Sequence, residues 1–262
     1  MVSVRRWALC ALVGLAACGS APKDDPNSQA SLDKLYAEAK DELRSGSYEK
    51  ATKLLERVEG RAAGTLMGQQ AMLELAWAQH KGGEKAQALA TLDRFLKLYP
   101  SSAGADYALY LKGLVNFNED LGFLGRFAGQ DFAERDQQAS RDALQTFREL
   151  VEKHPQSRYA EDSRLRIAFI LNTLAQHEVH VARYYLTRGA NVAAVNRAQT
   201  ALTDYPNAPA AEEALAIMAQ AYERLQLKGL SEDALRVLRK NFPNSSHLPG
   251  QVVATKPWWK FW

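Results

Sequence analysis

Two thiols, Cys10 and Cys18, and two closely spaced imidazoles, His177 and His180, are the side chains of this 262-residue chain with the most evident chemistry. Both cysteines fall within the first 18 residues. Beyond Cys18 there is therefore no thiol to act as a nucleophile, form a disulfide or bind a metal as thiolate. His177 and His180 lie three apart in a helical stretch, close enough to share a metal, but no defined third ligand stands near them. Glu178 between them makes an exposed polar face an equally good explanation. Glu161 and Asp162 sit near a helix start, where negative charge is favoured. The chain has no HExxH pair, no Gly-x-Ser-x-Gly elbow and no phosphate-binding GxxxxGK[ST] loop. These residues point to a non-enzyme that needs neither cofactor nor metal.

Cys18 has a specific setting. Arg5 and Arg6 form a basic head, an apolar stretch runs from Trp7 to Ala17, and the run ends Leu15-Ala16-Ala17-Cys18-Gly19. This is the layout of an export signal, too short for a spanning helix. An ordinary signal peptide or a buried N-terminal helix would be the other readings of these residues. The small residues before the cysteine resemble the lipobox of bacterial lipoproteins, which implies cleavage after residue 17 and acylation of Cys18. In such lipoproteins of Gram-negative bacteria, Gly19 in place of an aspartate implies sorting to the outer membrane. Two acyl chains already give a stable anchor, at about 0.8 kcal/mol per buried methylene. Residues 18–31, with Pro22, Pro26 and the charges Lys23, Asp24 and Asp25, read as a flexible tether. Of the 33 basic residues, Arg5 and Arg6 leave with the signal, and the remaining 31 face 30 acidic ones. That balance gives no case for a nucleic-acid partner.

From Leu32 onward the apolar residues recur at three- and four-residue spacing, broken by Gly46 and then by Gly82-Gly83. Gly46 to Gly83 and Ala51 to Ala88 are each 37 residues. Proline turns punctuate the rest: Tyr99-Pro100, His154-Pro155, Tyr205-Pro206 and Phe242-Pro243, each at a helix end because proline lacks a donor and crowds the preceding turn. Pro206 to Pro243 is again 37 residues, whereas the two earlier intervals are 55 and 51 and must hold insertions or longer helices. A repeat of this size resembles tetratricopeptide repeats. The expected fold is all-α, a superhelical solenoid of five helix pairs at about 32–60, 69–101, 104–156, 158–207 and 210–245. Ala51, Ala88 and Ala234 are small where helices approach, and Tyr48, Trp77, Phe95 and Tyr222 fill wider gaps. Such pairs cannot bury their apolar faces alone, so they stack.

Three stretches depart from the repeat. Residues 118–138 form a glycine-rich loop with Phe123, Phe127 and Asp136, which either packs onto the repeat beneath or meets a partner. Residues 164–188 are too long for one short arm. Residues 246–262 end in Lys256-Pro257-Trp258-Trp259-Lys260-Phe261-Trp262, which can be disordered, dock on a partner, or lie at a bilayer interface where aromatic rings are favoured.

Irregular strings then narrow the resemblance. Ala88-x-x-x-Leu92-Asp93-Arg94-Phe95-Leu96, Asp106-Tyr107-Ala108-Leu109-Tyr110-Leu111-Lys112-Gly113, Gly125-Arg126-Phe127, and Val181 to Ala190 followed by Val192 to Arg197 are similar to the BamD family. Its members are tetratricopeptide-repeat lipoproteins of the β-barrel assembly machinery of Gram-negative outer membranes. The resemblance implies a scaffold on the periplasmic face of the outer membrane, anchored in lipid through Cys18. Residues 32–156 would recognise unfolded outer-membrane protein substrates. Residues 157–245 would dock on a periplasmic domain of a BamA-like central barrel subunit, alongside other assembly-machinery lipoproteins. Arg197, with Arg188 and Asn196 beside it, would meet an acidic group on that subunit, since a guanidinium can hold a carboxylate bidentately. The other reading of Arg197 is a surface charge or an intrachain pair.

The substrate segment in that family is an extended strand, apolar at alternate positions and ending in an aromatic residue. Tyr36, Tyr48, Trp77 and Tyr107 are the candidates to receive it, although each also suits the core of a repeat. The chain has Gly60-Arg61-Ala62-Ala63-Gly64 where a Tyr-Pro stop is expected, which predicts a softer first turn between repeats. A generic envelope adaptor lipoprotein that organises cell-wall or division proteins is the alternative function.

Overall fold

The computed structural model describes residues 28–117 and 137–248, and among them the secondary structure is ten α-helices. They are α1 (Gln29–Ser45), α2 (Tyr48–Arg61), α3 (Leu66–Lys81), α4 (Lys85–Leu98), α5 (Ala105–Asn116), α6 (Gln137–Lys153), α7 (Ala160–Thr187), α8 (Asn191–Asp204), α9 (Ala211–Arg224) and α10 (Lys228–Asn241). Each helix packs on its neighbours in sequence, and α3 also touches α5 and α7 touches α9. That is a solenoid of five helix pairs. The long stretch anticipated around 164–188 is α7, whose 28 residues span about 42 Å at 1.5 Å per residue.

Within four of the pairs, the turn is the same hydrogen-bonded device. Gly46, Gly83, Gly189 and Gln226 all take positive φ, from 62° to 83°. At each, the next residue's N–H donates to the carbonyl five back: Ser47 to Glu42, Glu84 to Gln79, Ala190 to Tyr185 and Leu227 to Tyr222. This closes the first helix and reverses the chain. Gly46 to Gly83 and Gly189 to Gln226 are both 37 residues, so the 37-residue period rests on one turn geometry.

At the ends of pairs a second device recurs. Tyr99, His154, Tyr205 and Phe242 each donate to the carbonyl four back, and each accepts from the N–H three ahead. The first boundary lacks proline yet keeps the frame: Ala62 donates to Val58, and its carbonyl accepts from Thr65. Thr65 then caps α3 by accepting from the Gly68 N–H, and the Tyr99 phenol lies 3.3 Å from the Gly64 N–H that donates to it. The turn expected to be soft is held by hydrogen bonds, because a buried Ala62 can fill the place taken elsewhere by Tyr-Pro.

The core is a chain of clusters shared between pairs. Leu32, Leu35, Leu55, Val58 and Leu75 join α1, α2 and α3. Met72, Leu92, Phe95 and Leu111 join α3, α4 and α5. Phe147, Ile170 and Leu174 join α6 to α7. Val179, Leu186, Val195 and Ile217 join α7, α8 and α9. The fourth residue of α2, α4 and α8 is a fully buried alanine: Ala51, Ala88 and Ala194. In α10 that position is Ser231, not the expected Ala234, and its hydroxyl donates to the Ala219 carbonyl at 2.9 Å. Ala234, one turn on, is also buried.

Two substitutions test these contacts. A Cβ at Gly113 would lie 2.4 Å from the fully buried Phe147 ring, so Gly113→Ala should destabilise the fold by about 1–3 kcal/mol, read as a lower urea midpoint. Gln226→Gly removes the cost of a side chain at φ 62° and should raise the thermal midpoint, for a gain of about 0.5–1 kcal/mol.

Candidate functional site

The first helices of the early pairs line one groove. Lys40 and Leu43 come from α1, Gln70, Leu73, Glu74 and Trp77 from α3, and Asp106 and Tyr107 from the start of α5. Arg158 and Tyr159, just before α7, close its far side, and the space measures about 620 Å³. Its lining mixes the apolar and aromatic side chains Leu43, Leu73, Trp77, Tyr107 and Tyr159 with the charged ones Lys40, Glu74, Asp106 and Arg158.

Each aromatic is held by neighbours. Trp77 meets the Tyr48 ring edge-on at 5.7 Å. Tyr107 packs on Tyr159 at 5.6 Å, and Tyr159 stacks on Tyr110 at 4.6 Å. The Arg158 guanidinium lies 4.8 Å above the Tyr159 ring and also donates to its hydroxyl. Tyr110 donates to Asp162, which Arg166 also holds, so the first turn of α7 is tied to α5. Asp162 thus does more than complement the helix N-terminus.

The lining charges are partly neutralised. Glu74 Oε1 accepts from Lys40 at 2.5 Å and from Gln70 at 3.0 Å. The Asp106 carboxylate accepts from the Ser157 hydroxyl at 2.6 Å and from the Tyr107 N–H. Burial and the Glu74 carboxylate push the Tyr36 phenol well above its ordinary range. Burial, with Tyr159 and Glu74 nearby, takes Tyr107 up to about 12. Both phenols stay protonated and act as neutral polar groups. An extended peptide could lay aromatic side chains against the lining aromatics while the polar lining groups meet its backbone and charges.

Of the four aromatics expected to receive a strand, Trp77 and Tyr107 line the groove. Tyr36 stands beside it through Glu74. Tyr48 backs Trp77 and lines a separate cleft with Gly46 and Gly82. Lys40, Glu74, Arg158 and Tyr159 were not anticipated. The available signal was that a segment following the Pro155 turn must begin beside the segment following the Pro100 turn, since both open a repeat.

The second region lies on α7 and α8. Arg197 Nη1 donates to Glu178 Oε2 at 3.1 Å, and the two side chains differ sharply in exposure, 47% against 4%. Glu178 is therefore a buried carboxylate rather than part of an exposed polar face. Arg188 lies 5.3 Å over the Tyr184 ring, close to the turn at Gly189. Asn196 is exposed, and its carbonyl accepts from Thr200. Arg188, Asn196 and Arg197 sit on the same helix pair, with exposed Tyr184 and Val192 nearby in sequence. Among the described residues no group of three His, Cys, Asp or Glu gathers as a metal site, and no helix is long and apolar enough to cross a membrane. Cys18, Phe123, Phe127, Asp136 and the aromatic tail lie outside the described residues.

The outer membrane lipoprotein family YfiO matches residues 28–246. The chain is 45% identical over 255 residues to outer membrane protein assembly factor BamD of Neisseria meningitidis serogroup B, covering 95% of this chain and 96% of that one. It is 35% identical to the protein of that name from Haemophilus influenzae, covering 92% of each chain. It is 34% identical to the Vibrio cholerae one, covering 89% and 96%. The chain belongs to the YfiO family of outer membrane lipoproteins.

Proposed function

We propose that this chain is the lipid-anchored scaffold subunit of a β-barrel assembly machinery, helping to recognise and insert outer-membrane β-barrel proteins. The observation that carries this reading is the extent of the family match, which takes in both the aromatic groove and the Arg197 region. In this reading the acylated Cys18 holds the chain on the periplasmic face of the outer membrane. The groove of α1, α3 and α5 receives an extended, aromatic-bearing strand of an unfolded substrate. The α7–α8 pair docks on a periplasmic domain of a BamA-like central subunit, and the other assembly lipoproteins gather on the same scaffold. Neither step needs a bond to be made or broken by the protein, so the chain acts without catalysis or cofactor.

Arg197 has two tasks here. It neutralises Glu178, whose burial would otherwise leave a carboxylate unpaired, and its exposed remainder offers donors to an acidic partner. Removing the guanidinium alone should cost about 2 kcal/mol of stability. Pairing Arg197→Ala with Glu178→Gln should restore most of that loss, because the amide no longer needs a counter-charge. A mild-detergent pull-down separates the tasks. The wild-type chain should recover a large β-barrel protein with periplasmic domains, and the stable double variant should recover at least tenfold less. Undiminished recovery would reduce Arg197 to an internal clamp, and recovery of cell-wall enzymes in its place would favour the envelope-adaptor reading. Separately, Cys18→Ala should move the protein from the outer-membrane fraction to the soluble periplasmic fraction, read by membrane flotation and immunoblot.

A further inference from the structure

The charged side chains that line the groove are Lys40, Glu74, Asp106 and Arg158, and they are not equally free. Lys40 is bonded to Glu74, and its ammonium also lies 5.8 Å from the centre of the Tyr36 ring. Glu74 is held a second time by Gln70. Both oxygens of Asp106 accept, one from the Ser157 hydroxyl and one from the Tyr107 N–H. Arg158 differs from all three. One of its N–H donors goes to the Tyr159 hydroxyl, and among the described residues the others have no acceptor. Asp106 attracts it from beyond hydrogen-bond reach. The acids that follow it on α7 are taken as well: Glu161 by Arg164, and Asp162 by Arg166 and Tyr110.

Arg158 is also oriented. Its guanidinium lies 4.8 Å over the Tyr159 ring, which stacks on Tyr110 and packs on Tyr107. The spare donors therefore stand at the edge of an aromatic wall, on a side chain whose direction is set by a ring and a hydroxyl. A planar guanidinium in that position matches a carboxylate, which its fork can hold through two parallel bonds. A carboxylate brought to Lys40 would meet Glu74 beside it. Tyr107 adds no competing negative charge at the Arg158 end, because burial, with Tyr159 and Glu74 nearby, takes its phenol up to about 12.

We propose that Arg158 receives a carboxylate that adjoins an aromatic ring, the ring resting on the aromatic lining of the groove. Two parts of a peptide bring these groups together. One is a C-terminal aromatic residue with its own α-carboxylate, and the other is an acidic side chain next to an internal aromatic one. The inference rests on the strand-binding reading given above, and it adds a direction: the part of the strand that carries the carboxylate lies toward α7, and the rest runs toward α1.

The test titrates fluorescent ten-residue peptides of alternating threonine and valine, ending in phenylalanine, against the full-length lipoprotein in detergent micelles. One peptide ends in a free carboxylate and a second in an amide. A third is the amide with glutamate placed just before the phenylalanine. The free acid should bind the wild type about fivefold more tightly than the plain amide, as one well-aligned exposed ion pair provides. That preference should shrink as sodium chloride is added. In Arg158→Ala the acid and the plain amide should bind alike, and Arg158→Lys, which keeps the charge without the fork, should retain a preference of about twofold. The glutamate peptide identifies the source: affinity equal to the free acid admits an acidic side chain, and affinity equal to the plain amide restricts the site to a chain end. Equal binding of acid and amide to the wild type overturns the proposal while leaving strand binding intact. A preference that survives Arg158→Ala and vanishes in Lys40→Met assigns the carboxylate to Lys40 and overturns it too. Binding of all three peptides that ignores Trp77→Ala overturns the strand-binding reading itself.

Discussion

No helix pair in this chain can bury its apolar residues alone, and every other feature follows from that constraint. A two-helix unit has one inner seam and leaves a second apolar face open, so each pair must lean on the next. The buried alanines Ala51, Ala88 and Ala194 let second helices approach first helices closely, while Phe95 and Phe147 occupy the wider spaces between pairs. Because the clusters around Leu55, Phe95 and Val195 each draw residues from three consecutive helices, the orientation of one pair constrains the next. The groove is a by-product of that stacking: it exists because the first helices of successive pairs face the same way.

The repeat order was largely legible in the residues. Proline after Tyr99, His154, Tyr205 and Phe242 announces a helix end through the lost donor, and Gly46, Gly83 and Gly189 announce a left-handed turn. Gln226 gives no such announcement, since its positive φ is imposed by the same hydrogen-bond frame and not by its side chain. The Ala62 turn is silent for a similar reason. Its order comes from the Val58 and Thr65 backbone partners and the Tyr99 phenol, none of which a composition-based reading weighs.

The site was less legible, because its parts lie far apart in sequence. Trp77 and Tyr107 stand out as aromatics at repeat positions, but Arg158 and Tyr159 join them only through a stack spanning some fifty residues. Glu178 is the clearest case of a misread residue. Between two histidines it resembles a solvated position, yet α7 is long enough for α8 and α9 to cover that part of it. Arg197 supplies the missing charge from 19 residues away.

The length of α7 gives the scaffold a mechanical property that shorter repeat helices lack. One end is fastened to α5 through Asp162, Tyr110 and Arg166, and the other is fastened to α9 through the Arg183–Glu213 pair and the Arg224 donation to the Leu186 carbonyl. A rod of about 42 Å bonded to α5 at one end and to α9 at the other carries a change of angle from the first to the second. Tilting it by about five degrees at the aromatic end swings the far end by about 4 Å, more than the length of a hydrogen bond.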